Sequence, residues 1–171
     1  MRVLSVLAIA MFAFATPALA DDDDDRFGVY IYEGTVEDYG ERPVEDVEDL
    51  DSLWDDDDDD LEDVWSRIGG GEPAPNPLWG QDDEDIDISI EELMATPHVL
   101  VVHEGESYRT PVVAIGAIEG ELGDDGTLLI DLNEVDNSGY EGRAYFEPDD
   151  DDDDDEVEVT VGIWEVQAAG V

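Results

Sequence analysis

The sequence predicts an all-β fold, an antiparallel barrel or sandwich, from three observations. Short apolar segments rich in alternating or β-branched residues recur through the second half of the chain. Turn signals separate them at regular spacing, among them Asp124-Asp125-Gly126 and Asn137-Ser138-Gly139, in which glycine readily takes a positive φ. Hydrophobic residues make up 42% of the chain, enough to form a core despite a formal net charge of −45.

Residues 1–20 predict a cleaved signal peptide. They contain one Arg, an apolar stretch, Pro17 and the small-residue ending Ala18-Leu19-Ala20. The segment is too short, and its flanks are wrong, for a membrane anchor. We expect a mature protein that begins at Asp21, carries an acidic tail over 21–26 and forms a single β-barrel domain over 27–171. The expected location is secreted or periplasmic, outside the cell.

The charge predicts a high-salt, halophilic environment. The 171 residues include 51 Asp and Glu against six Arg and no Lys. Such a charge repels itself in dilute buffer, whereas near 1 M salt the screening length falls to roughly 3 Å. Solvent cations are therefore the expected partners.

Nucleic acid is excluded because phosphate contacts require Lys and Arg, and no membrane contact is expected after signal cleavage. The lack of Cys leaves stability to the core. The sequence does not indicate a protein partner.

The first predicted strand follows the acidic tail, in the segment FGVYIY at 27–32. Its residues alternate, so Phe27, Val29 and Ile31 share one face and Tyr30 and Tyr32 the other.

Residues 44–80 are predicted to form an acidic, partly helical or disordered insertion. The spacing of Val44, Val47, Leu50 and Trp54 is typical of one helical face, as is that of apolar residues 61–68 after six Asp. The segment 69–80 has four Gly and three Pro, which predict a loop.

The remaining chain predicts strands over 86–90, 98–104, 112–122, 127–132, 140–148 and 157–166, with one helical turn in 91–97 that ends at Pro97. The seven-Asp run 149–155 is then the loop before the last strand. Such a loop can be long because the cost of loop closure grows slowly with length.

Two strand segments resemble those of secreted β-barrel proteins of the copper/zinc superoxide dismutase-like group. In that group a His-x-His-Glu-Gly strand is followed later by a strand that ends in Val-His. Residues 30–34 (YIYEG) and 97–103 (PHVLVVH) stand at these places, and residues 114–122 and 132–142 continue the order. Chordin-type domains are a second candidate family. Either resemblance implies a Greek-key β-barrel or sandwich.

The departures from the dismutase-like group concern its copper ligands. Cu(II) prefers nitrogen donors, but Tyr30 and Tyr32 replace the His pair, and neutral phenols with a pKa near 10 are poor ligands. Of the two His, His103 matches a ligand position, and strand parity sends His98 to the opposite face. We therefore interpret Tyr30, Tyr32 and His103 as degenerate metal-site positions. No metal, no catalytic residue and no cofactor beyond weak, diffuse cation binding is expected.

These observations predict a secreted, salt-adapted dismutase-like barrel that acts as a non-catalytic binding or structural module. Two alternatives stay open. The first is a residual metal-dependent redox enzyme with a rebuilt site around His103. The second is a calcium-binding acidic surface protein, although the calcium-loop-like start at Asp131 places Val135 where an oxygen donor is required. No nucleophile elbow and no phosphate-binding loop is present.

Overall fold

The computed structural model describes residues 27–52, 67–68, 79–148 and 156–166. The predicted signal peptide, the tail 21–26 and the Asp runs 55–60 and 149–155 lie outside these residues. The described part forms nine strands and a short helix: β1 Phe27–Thr35, β2 Asp38–Tyr39, β3 Glu45–Ser52, β4 Trp79–Ile86, α1 Ile90–Ala95, β5 His98–Glu104, β6 Val112–Ala117, β7 Leu128–Glu134, β8 Tyr140–Pro148 and β9 Val157–Glu165. None of the described helical residues belongs to a helix of the length and apolarity needed to cross a bilayer.

The strands pair in the order β1-β3-β4-β9-β8-β7-β6-β5, and β5 pairs again with β1, which confirms the predicted antiparallel barrel. Because β5 returns beside β1 after the run β1, β3, β4, the connection is a Greek key. The β3–β4 and β6–β7 pairings each contain two residue pairs, fewer than the other pairings of the ring. The barrel thus consists of two four-stranded sheets joined at two narrow corners.

Apolar plugs close both ends of the barrel. At the end that we call the helix end, Ile90 and Leu93 of α1 join the buried core. Ser89 caps this helix by accepting a hydrogen bond from the Glu92 N–H at 3.2 Å. At the opposite, aromatic end, three rings pack edge-on with centroids 4.9–5.6 Å apart: Phe27, Trp79 and Tyr140. The interior between the plugs is filled by buried aliphatic side chains and Phe146.

The helical prediction is wrong for residues 45–52, which form β3. A register shift opposite Gly28 and Val29 leaves Glu48 as an extra residue between Val47 and Asp49. This β-bulge brings Val47 and Leu50, three residues apart, onto the same face of a strand, where both are fully buried. A spacing that is typical of a helix is here produced by a bulged strand.

The boundaries predicted for the next segments also differ from the structure. Strand β4 begins at Trp79, inside the predicted loop 69–80, and ends at Ile86, where the predicted strand 86–90 begins. Ile90 instead starts α1. The physical reason is tertiary: β4 pairs with six residues of β9, and this pairing overrides the low strand propensity of its acidic residues.

Part of the predicted insertion lies on the outer face of the sheet formed by β8 and β9. Arg67 and Ile68 have helical backbone, and Ile68 is fully buried against Trp164 and Tyr145. Two of the six Arg stabilise this contact. The guanidinium of Arg67 lies 3.5 Å from the Glu147 carboxylate and 3.6 Å from the Glu158 carboxylate. The guanidinium of Arg143 donates hydrogen bonds to the Asp131 carboxylate and to the Ile68 carbonyl. The remainder of the insertion, 53–66 and 69–78, lies outside the described residues.

Candidate functional site

The structure brings Tyr30, Tyr32 and His103 together on the outer face of β1 and β5. The ring centroids of Tyr30 and Tyr32 lie 5.6 Å and 6.2 Å from that of His103. All three side chains are buried, and they belong to an aromatic and aliphatic cluster separate from the barrel interior. Val29 and Ile31 point into that interior, as the alternation predicts.

Hydrogen bonds determine which atoms of this cluster carry protons. The Nδ1 atom of His103 lies 2.8 Å from the Thr110 carbonyl oxygen, which can only accept, so Nδ1 carries the proton. The Nε2 atom then accepts a hydrogen bond from the Tyr32 hydroxyl at 3.2 Å. Burial lowers the pKa of His103, an effect that the Thr110 hydrogen bond opposes. Burial, followed by nearby Tyr39, raises the pKa of Tyr32 to about 12. Both groups are therefore neutral near pH 7.

A loop covers the cluster from outside. The Tyr30 hydroxyl donates to the Glu106 carbonyl at 2.8 Å, and Tyr108 packs edge-on against the Tyr30 ring. The guanidinium of Arg109 lies 5.2 Å from the centroid of Tyr108. Gly105, with φ of 88°, turns the chain into this loop. The phenol and imidazole groups are thus bonded to the protein and screened from solvent.

A metal ion would find few ligands in this cluster. Both ring nitrogens of His103 have protein partners, and Tyr32 keeps its proton. Within residues 27–52, 67–68, 79–148 and 156–166, no three His, Asp or Glu side chains are grouped to hold a metal.

The calcium-loop-like segment is strand β7 instead of a loop. Its carboxylates have different partners: the Asp131 carboxylate accepts from Arg143 at 2.9 Å, and Glu134 accepts from the Gly139 N–H at 2.8 Å. They therefore do not converge on a common point as calcium ligands must.

Comparisons with protein-family models, with curated proteins and with solved structures give no match. The resemblance to the dismutase-like group, which depends on residues 30–34, 97–103, 114–122 and 132–142, and the one to chordin-type domains therefore stay predictions.

Sequence reasoning missed a second site, an open cleft of about 470 Å³ at the helix end. Three segments line it: 34–37 at the end of β1, 94–98 from the end of α1 to the start of β5, and 117–119 at the end of β6. Gly34 shapes one wall, because with φ of 132° a Cβ there would lie 2.5 Å from the Asp38 carbonyl oxygen. The Gly34 N–H also donates to the Pro97 carbonyl at 2.8 Å, which joins two of the walls.

His98 is among the residues that line this cleft and is 8% exposed. Its Nδ1 atom donates to the carbonyl oxygens of Leu93 at 2.9 Å and Thr96 at 3.0 Å, which joins α1 to β5. Its Nε2 atom has no hydrogen-bond partner among the described residues. A His that follows a helix by a few residues is a sequence signal for carbonyl capping, but the sequence does not reveal the other two walls.

We expect His103 to make stability depend on pH. Because burial lowers its pKa, the unfolded chain binds this proton more readily than the native one. The stability that neutral His103 contributes is therefore complete above the unfolded-state pKa of about 6.5. As pH falls below this value, the free energy of unfolding decreases by up to about 1.4 kcal/mol per pH unit. The measurement is urea unfolding in high salt from about pH 7 to about pH 5.5. His103→Gln, which cannot titrate, should lose less stability over this range than the wild type, and parallel losses would contradict the assignment.

Proposed function

We propose that this chain is a secreted, salt-adapted β-barrel protein of dismutase-like character that lacks a complete copper site and acts as a non-catalytic binding module outside the cell. The observation that carries the proposal is the hydrogen bond between Tyr32 and His103. It occupies the imidazole nitrogen that a copper ion would need, while the Thr110 carbonyl occupies the other. Neutral phenol and imidazole groups bonded to each other stabilise a packed surface and provide no open coordination position.

The barrel interior supports the same proposal. It is filled by aliphatic side chains and Phe146, and α1 and the aromatic rings of Phe27, Trp79 and Tyr140 close its ends. A ligand therefore has its access at the outer surfaces and at the ends of the strands. High acidity on such a surface suits a protein that works in concentrated salt.

The test is the metal content of the protein from Asp21 onward, purified in high salt, exposed separately to copper, zinc and calcium, and dialysed. We expect no retained stoichiometric metal and no superoxide turnover. The matched variant is Tyr30→His with Tyr32→His, which places three imidazoles on one face, and it should gain copper affinity because Cu(II) prefers such donors.

Two outcomes would contradict this proposal. One copper or zinc held per chain and lost in His103→Gln would instead favour the rebuilt redox site. A saturable calcium site of micromolar affinity at high ionic strength would favour the calcium-binding surface protein.

A further inference from the structure

The cleft at the helix end presents hydrogen-bond acceptors and negative charge. Two of its lining residues, Glu37 and Glu119, are carboxylates from different lining segments, and none of the described residues that line it is an Arg. A carboxylate accepts hydrogen bonds and does not donate them when ionised. Acidic residues are common on this protein, so the carboxylates alone do not define a site.

The buried imidazole of His98, which lines the cleft, is the independent observation. Both partners of the His98 Nδ1 atom are carbonyl oxygens, so Nδ1 carries a proton, and in the tautomer protonated at Nδ1 alone the Nε2 atom is an acceptor. Leaving a buried acceptor unpaired costs free energy, because the group has lost its hydrogen bonds to water. A group that enters the cleft and donates to Nε2 removes this cost.

The cleft also has an apolar part. Val36, Met94 and Ile118 are among its lining residues, and Val36 is 43% exposed. A ligand that combines several N–H donors and a positive charge with a short hydrocarbon stem therefore complements the whole lining. Ammonium and guanidinium groups have donors and no acceptors.

We propose that this cleft binds an ammonium or guanidinium group carried on a short aliphatic chain, with Glu37, Glu119 and the Nε2 atom of His98 as its acceptors. The group belongs to a free small amine or to a Lys or Arg side chain of another protein. The inference rests on the proposed function and deepens it, since it names the ligand class of the binding module. Metal analysis tests the proposed function and amine titration tests the cleft, so failure of one proposal can be told from failure of the other.

The test is a titration of the full mature chain in high salt with n-butylguanidinium, followed by calorimetry and by the NMR signals of the two His rings. We expect saturable one-to-one binding that shifts the His98 signal and leaves His103 unchanged. N-butylurea, a neutral compound of similar shape, should bind at least about tenfold more weakly, which corresponds to about 1.4 kcal/mol. The capped peptide acetyl-Gly-Arg-Gly-amide distinguishes the sources, because a protein side chain as natural ligand predicts binding at least as tight as that of butylguanidinium.

Two double variants distinguish binding in the cleft from nonspecific attraction to the negative charge of the whole protein. Glu37→Gln with Glu119→Gln should weaken butylguanidinium binding by about tenfold or more, as loss of two charge-assisted hydrogen bonds implies. The matched control, Glu141→Gln with Glu165→Gln, removes the same charge at the aromatic end, where β8 begins and β9 ends, and should change affinity by less than about twofold.

Three results would overturn this proposal: equal weakening in both double variants, equal binding of butylguanidinium and butylurea, or titrations that never saturate. The comparison of the two probes uses the wild-type chain, so it decides the question even where a double variant folds poorly.

Discussion

The midpoint of thermal unfolding should rise by more than about 10 °C between about 0.1 M and about 2 M KCl, because the screening length falls from about 10 Å to less than 3 Å. The formal net charge of −45 repels itself in the compact state more than in the extended chain. Attraction offsets little of this repulsion. In the described part of the chain the Arg–carboxylate pairs are those of Arg67 and Arg143, and partly exposed pairs contribute about 0–1 kcal/mol each.

The measurement is circular dichroism melting across a KCl series. A variant in which Asp149 to Asp155 are all changed to Asn serves as its control, because it lowers the magnitude of the charge from 45 by seven, to 38. Pro148, just before this run, pairs with Val157, two residues after it, in the β8–β9 hairpin, so the strand pairing of the described barrel does not include the run. The variant should melt at a higher temperature in low salt and show a smaller salt response. Identical melting temperatures across the series would refute the high-salt interpretation.

The fold class could be predicted from the sequence because most strands carry a local signal. In β1 the alternation separates an aliphatic inner face from an outer face with Tyr30 and Tyr32, and β5 is a continuous apolar run that is buried on both sides. The positive φ of Gly126 and Gly139, 89° in each, confirms the two predicted turns.

Strands β3 and β4 could not be predicted in this way. The bulge at Glu48 disrupts the two-residue period of β3, so the apolar residues on either side of it have a helical spacing. Half of the residues of strand β4 are acidic, and the strand forms because β9 offers it a pairing edge. Pairing with this edge is a tertiary contact, and the sequence of β4 alone does not predict it.

The two candidate sites also differ in how far the local sequence predicts them. Tyr30, Tyr32 and His103 lie on two neighbouring strands, where parity alone predicts their common face, and the structure brings them together. Their interpretation as degenerate metal-site positions stays a prediction. The cleft instead combines segments that are about 20 to 80 residues apart in the chain, since a Greek-key connection folds α1 across the end of the barrel. Such a site depends on the order of the strands, which local patterns do not specify.

Leu93→Ala should lower the free energy of unfolding by about 2–5 kcal/mol. Leu93 is fully buried in the barrel core, although it belongs to a helix of six residues. Helices this short are not stable in isolation, so α1 depends on the contacts that Ile90 and Leu93 make with the strands. The substitution leaves a cavity beneath α1 and loosens the closure of the helix end.

The matched control is Leu129→Ala, the same chemical change at a residue of β7 that is 38% exposed, where the loss should be well under half as large. Urea unfolding at constant high salt is the measurement, because guanidinium chloride would itself change the screening. Similar losses in the two variants would contradict the role of Leu93 as the plug. The NMR signal of His98 gives a local readout: its ring bonds the Leu93 carbonyl, so Leu93→Ala should shift it while leaving the signal of His103 unchanged. A stability loss without that local shift would mean that the cavity is accommodated away from the cleft.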